Sequence, residues 1–151
     1  MRLSLLVSAL LAVAACSPSP APNQLAGLPR TAVVAGQKAV KLLSQMHDGR
    51  FRPEQALVAE YDEGRLTVYL ARFASPSGAQ QALERMLRGL TASRQFSPPG
   101  KLQDGRYLVV GPGGHHLFWR TGQAIYWVAG EPALVFQAAE ELPAPKQGRW
   151  T

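Results

Sequence analysis

The sequence has a single cysteine, Cys16, in 151 residues. No intramolecular disulfide can form, and zinc or iron–sulfur sites built from several cysteines are excluded within one chain. Histidine is almost as scarce, with His47, His115 and His116 the full set. Acidic residues are few: ten Asp and Glu stand against sixteen Lys and Arg, for a formal net charge of +6. No apolar run reaches the roughly 20 residues that a spanning helix needs. The catalytic vocabulary is equally thin. Gly111-Pro112-Gly113-Gly114 lacks the Gly-Lys-Ser/Thr ending of a phosphate-cradling loop and precedes no helix, so it reads as a turn. There is no nucleophile-elbow motif. Glu60, Asp62 and Glu63 cluster beside a turn, as the solvent side of a hairpin does, and Glu140-Glu141 reads as solvated. No cofactor and no catalytic residue is expected.

What is present begins at the N-terminus. Met1-Arg2-Leu3-Ser4 leads into Leu5 to Ala15, unbroken apolar and small residues except for Ser8. A basic start, a short apolar core and small residues at its end have the form of a signal peptide over 1–15. The run closes with Val13-Ala14-Ala15-Cys16, which resembles the lipobox of bacterial lipoproteins. The resemblance implies a diacylglyceryl group on the Cys16 thiol, cleavage after Ala15, and acylation (palmitate or a similar chain) of the new amino group. The competing readings are an ordinary secretory signal in which Cys16 is incidental, and a retained transmembrane helix. Ser17 stands where an aspartate commonly holds Gram-negative lipoproteins at the inner membrane. The expected address is therefore the cell envelope: the outer membrane facing the periplasm in a Gram-negative organism, the outer face of the plasma membrane otherwise.

About 136 residues follow the cleavage point, enough for one domain. The positive charges are mostly arginines scattered along the chain, from Arg50 and Arg52 to Arg120, without a block. An export signal argues against a nucleic-acid partner. An anionic lipid or lipopolysaccharide surface suits the basic balance, beside the plainer reading of a solvated basic surface.

Ser17 to Asn23 alternates serine or alanine with proline, and 16–30 is read as the lipidated cysteine and a proline-rich spacer. Residues 31–142 form the expected domain. Thr31 to His47 reads as a helix capped by Thr31, with Val40, Leu43 and Met46 at helical spacing. Leu57 to Asp62 and Leu66 to Ala71 alternate around Asp62-Glu63-Gly64-Arg65, a hairpin pattern. Ser75-Pro76 opens the clearest helix, with Ala79, Ala82, Leu83, Met86, Leu87 and Leu90 as its apolar stripe. Arg106 to Val110, His115 to Arg120 and Ala124 to Ala129 read as strands, and Glu131-Pro132 opens a last helix. Residues 143–151 read as a flexible tail. The sum is an α+β fold: an antiparallel sheet of about five strands with helices mainly on one face. Two strand–strand–helix units, 57–90 and 116–142, echo each other and raise the question of a repeat. Gln45-Met46-His47-Asp48-Gly49-Arg50-Phe51, His116-Leu117-Phe118-Trp119 and Ile125-Tyr126-Trp127 make the domain similar to small exported bacterial proteins with no assigned function. That family has no catalytic residues to transfer.

Two candidate sites remain. His47 with His115 or His116 could bind a metal, but adjacent strand residues point to opposite faces, so His115 and His116 do not converge without a bulge. On the last two strands Phe118, Trp119, Tyr126 and Trp127 lie beside Arg120. If helices cover only one sheet face, the other exposes rings next to arginine, the composition of a binding surface. The functional expectation is a non-enzymatic, membrane-anchored protein that takes an envelope protein partner or a small ligand there. A small metal-dependent envelope protein or enzyme is the alternative.

Overall fold

The computed structural model describes residues 20–146. The expected signal peptide, Cys16, Ser17 and the end of the expected tail from residue 147 lie outside the described residues. No described helix is long and apolar enough to cross a membrane.

The fold is α+β: the described residues form three helices and one antiparallel sheet, and the sheet has eight strands rather than about five. The strands are β1 (Gln24–Leu25), β2 (Leu28–Ala35), β3 (Gln55–Tyr61), β4 (Leu66–Arg72), β5 (Gly100–Lys101), β6 (Tyr107–Gly111), β7 (Gly114–Thr121) and β8 (Ala124–Gly130). The helices are α1 (Gln37–Met46), α2 (Pro76–Ala92) and α3 (Pro132–Glu141). Strand order is β1-β2-β3-β4-β8-β7-β6-β5. The extra strands are β1, β2 and β5. Two of them are only two residues long, too short to carry a period.

The N-terminal boundary moves accordingly. Part of the expected spacer is folded: Ala21 and Leu25 are in the core, and Arg30 donates to the Ala21 carbonyl and, at 2.8 Å, to Asn23 Oδ1. Tyr61 Oη donates to the Pro22 carbonyl at 2.9 Å, closing the segment onto the sheet. Residues 31–35 are strand, not helix. Thr31, Val33 and Val34 are β-branched and favour extended backbone. The helix starts only after Gly36, whose φ of 68° turns the chain and whose carbonyl accepts from Val40 N. Ala39 and Leu43 then face the core, while Met46 is 54% exposed.

The β3–β4 hairpin pairs in register from Tyr61↔Leu66 to Gln55↔Arg72, around a turn with positive φ at Asp62, Glu63 and Gly64. In α2, Ser75 Oγ accepts from Gly78 N at 3.0 Å and Pro76 opens the first turn. Its expected stripe is buried except for half-buried Leu87.

The helices do not share one face. Alternate strand residues separate two cores. Leu57, Tyr61, Leu66, Val68, Trp119, Tyr126 and Val128 pack with Val135, Ala138 and Ala139 of α3. Val58, Ala71, Phe118 and Ile125 pack on the opposite side with α1 and α2 through Ala39, Leu43, Ala79, Ala82 and Leu83. The strand order is symmetric about the β4–β8 pair, yet α2 and α3 lie on opposite faces. A two-fold axis normal to the sheet would keep them on one side, so the echo extends to the strands and stops at the helices. The expected tail is also pinned at its start: Leu142 is buried, and Trp119 Nε1 donates to the Pro143 carbonyl at 2.8 Å.

Candidate functional site

The aromatic strands place no ring array in solvent. Phe118 and Trp119 are fully buried, Tyr126 is buried and Trp127 half-buried. The rings form two ladders, one in each core. On the α3 side the Arg106 guanidinium lies 4.8 Å from the Trp119 ring centroid, and Trp119 stacks on Tyr126 at 5.5 Å. Arg106 itself is 4% exposed. It pairs with Asp104 and, at 3.3 Å, with Glu140, and donates to the Ala139 carbonyl at 2.6 Å. It thus caps the C-terminal end of α3, where a cation is favoured. On the other side Tyr107, Phe118 and Trp127 stack in sequence at 5.5 and 4.6 Å. Arg120 is half-buried and donates to Gln80 Oε1 and the Gly122 carbonyl, both at 2.9 Å. The expected aromatic and arginine face is therefore interior structure. Helices cover both sides of the sheet, and only Trp127 and Arg120 keep part of their surface in solvent.

The histidines are not brought together. His47 sits 4.6 Å from the Phe51 ring at the end of α1. His116 packs against Phe96 and Trp127, and half-buried His115 points to the other face of β7. Among the described residues no group of three or more His, Cys, Asp or Glu is placed to hold a metal ion.

His116 has a structural part. Trp127 Nε1 donates to its Nδ1 at 3.0 Å, so the proton sits on Nε2, which donates to the Pro112 carbonyl at 2.8 Å. Burial lowers its pKa from the ordinary 6.5; the Pro112 carbonyl opposes this and His115 reinforces it. Burial lowers His47 as well, against the raising field of Asp48. A depressed imidazole pKa means the unfolded chain takes up protons first as pH falls. Stability is then complete above about pH 6.5 and declines below it, toward the lower folded values. The urea midpoint is expected to drop between pH 7 and pH 5, and His116→Gln to flatten part of that drop, with His47 supplying the rest. Asp104, the carboxylate whose pKa is lowered, acts on stability only at more acid pH. An identical pH slope in the variant would show that His116 is not held neutral.

What the surface does offer lies elsewhere. A groove of about 600 Å³ is lined by Arg50, Arg52, Glu54, Phe73, Gly78 and Arg85, among others. The segment Arg50-Phe51-Arg52 places it: Phe51 is buried edge-on against Phe73 at 5.2 Å, which throws both arginines outward. Arg85 projects from α2, and Gly78 belongs to its first turn, the positive end of the helix. The ion pairs formed among the described residues belong to Arg65 and Arg106, and none engages Arg50, Arg52 or Arg85. Glu54 is the one carboxylate lining the groove. Three exposed guanidiniums around a concavity can take an anion with several oxygens by bidentate hydrogen bonds. Along the sequence these arginines are scattered. The alternation around Phe51 was the available signal, while Arg85 joins them only through the packing of α2.

No family model matches the chain, and no solved structure matches it. A stretch of 79 residues, half of the chain, is 34% identical to part of mouse sedoheptulokinase. The chain spans only 17% of that enzyme's length. So small a share carries none of the enzyme's activity to this protein.

Proposed function

We infer that the chain is a non-enzymatic, lipid-anchored protein of the cell envelope that binds an anionic ligand, or an acidic partner surface, in the Arg50–Arg52–Arg85 groove. The observation that carries the reading is Val13-Ala14-Ala15-Cys16 placed directly ahead of a folded domain. With Ser17 next, the outer membrane is the address in a Gram-negative cell. Only four residues lie between Cys16 and Ala21, the first described residue in the core, so these five steps of chain reach at most about 17 Å. The domain would ride close to the leaflet instead of being held off it by a long spacer. Ala21 belongs to the α3-side core, whereas the groove is built on Phe73 and α2, on the other face. The groove therefore opens away from the chain's point of attachment, toward ligands other than the anchoring leaflet.

The test has two arms. The full chain should incorporate labelled palmitate and partition with membranes, and Cys16→Ser should abolish both. Absence of label in the unaltered chain sinks the anchor. For the groove, the probe is inorganic tripolyphosphate at low salt, measured by calorimetry. Arg50→Glu with Arg85→Glu should weaken binding at least about tenfold, the equivalent of about 1.4 kcal/mol. Equal binding by the double variant removes the groove as the site.

A further inference from the structure

Among the described residues the outer side of β2 has no neighbour over most of its length. β1 pairs only with Leu28 and Pro29, and the register slips between Arg30 and Ala32. From there to Ala35 the strand is paired with β3 alone, and Thr31 to Ala35 are all exposed. Gly36 N donates inward to Ala56 O at 3.2 Å. In an antiparallel ladder the inward residues alternate, so Gly36, Val34 and Ala32 bond to β3 while Val33 and Ala35 turn N–H and C=O outward. Soluble proteins usually guard such an edge with lysine, proline or a covering loop. Thr31-Ala32-Val33-Val34-Ala35 has no charge and no proline. Its bulge precedes the open stretch and leaves it unguarded.

The edge is also where exposed apolar side chains gather. Of the six large exposed hydrophobics among the described residues, Val33 and Val34 lie on β2 and Leu42 and Met46 on α1. α1 packs on β2 and β3. Val34 is paired with Val58, on the α1 side of the sheet, and Leu42 and Met46 are four residues apart on one flank of the helix.

We propose that this edge is a homodimer interface, in which β2 of two copies pair antiparallel and continue the sheet from one subunit into the other. The occupant is a second copy because the edge suits itself. With Val34 facing the same residue of the other copy, Val33 of each lies opposite Ala35 of the other, and both outward residues exchange their N–H···O bonds. No like charges meet across that register, although the protein as a whole is basic. Because α1 packs on β2 as well as β3, its exposed Leu42 and Met46 could add to the covered area on each copy. The proposal does not depend on the lipid anchor.

The register supplies its own test. Facing Val34 residues would form a non-hydrogen-bonded pair with Cα atoms about 4.5 Å apart, within disulfide range. The purified full chain carrying Val34→Cys, oxidised with diamide, should give a crosslinked dimer. Its yield should exceed that of Phe136→Cys, an equally exposed position on α3, by at least about fivefold. The unaltered chain controls for Cys16. Adding Ala35→Pro removes one outward N–H and leaves the inward ladder intact, and should return the yield to the control level. Val33→Lys, which places a charge at the seam, should do the same if the proline variant fails to fold. A yield no higher than that of Phe136→Cys, or one undiminished by both edge variants, overturns the proposal.

Discussion

Trp119→Ala is expected to lower unfolding free energy by about 3–5 kcal/mol, the usual cost of truncating a fully buried tryptophan. The ring has no solvent exposure and holds three parts of the fold together. Its face carries the Arg106 guanidinium, its other neighbour is Tyr126, and its Nε1 holds the Pro143 carbonyl. Truncation would leave Arg106 buried beside a cavity with its Nε already without a partner. Trp119→Phe keeps a ring to stack but orphans the Pro143 carbonyl, and should cost less than the alanine variant. Trp127→Ala should also cost less, because Trp127 is only half-buried. Urea unfolding with an unchanged slope is the measurement. A loss under about 1 kcal/mol for Trp119→Ala would mean the ring is not enclosed. Because neither ring lines the groove, neither variant should alter anion binding there while the chain stays folded.

How legible this was in the sequence differs from element to element. α2 and the β3–β4 hairpin were readable because cap, turn and apolar period agree over the same residues. β2 was not readable. Both its faces are exposed over Thr31–Ala35, so no alternation marks it, and its threonine passes for a helix cap. The double burial of β7 and β8 was written in the chain. Leu117-Phe118-Trp119 and Ala124 to Ala129 are unbroken apolar runs, the pattern of strands covered on both faces. The exposed face expected there required all the helices on one side, whereas α3 and the α1–α2 pair cover opposite faces. Buried Arg106 had no comparable signal: Ala139 and Glu140, which hold it, are more than thirty residues away in the sequence. The arginine groove was half legible, in Arg50 and Arg52 flanking Phe51, but its third arginine arrives on a different helix.

Gly130→Ala should be about as damaging as the loss of Trp119, for a backbone reason. Gly130 closes β8 and is paired with Leu66 of β4 and His115 of β7, at the junction of the two halves of the sheet. Its φ is 153°, and a Cβ there would sit 2.3 Å from the Arg65 carbonyl oxygen. The obstacle is backbone, so no side-chain rotation relieves it. Gly114 adds to the constraint: its own missing Cβ would lie 2.4 Å from the Gly130 carbonyl oxygen. The two strands and the turn before α3 thus come together only because both residues lack side chains. Conformational strain of roughly 1–3 kcal/mol adds to a packing cost of similar size, so a loss of about 3–5 kcal/mol is expected. Gly122→Ala is the control. Gly122 also has a positive φ, 59°, but nothing lies within 4 Å of its Cβ position, so only the conformational cost of about 1 kcal/mol applies. The gap between the two variants in urea unfolding isolates the steric contribution. Faster amide exchange at Val68 and Val128, which face each other across the β4–β8 seam, would place the damage there. Equal losses for Gly130→Ala and Gly122→Ala would mean that the seam yields to a methyl group and is not closed by the approach of bare backbone.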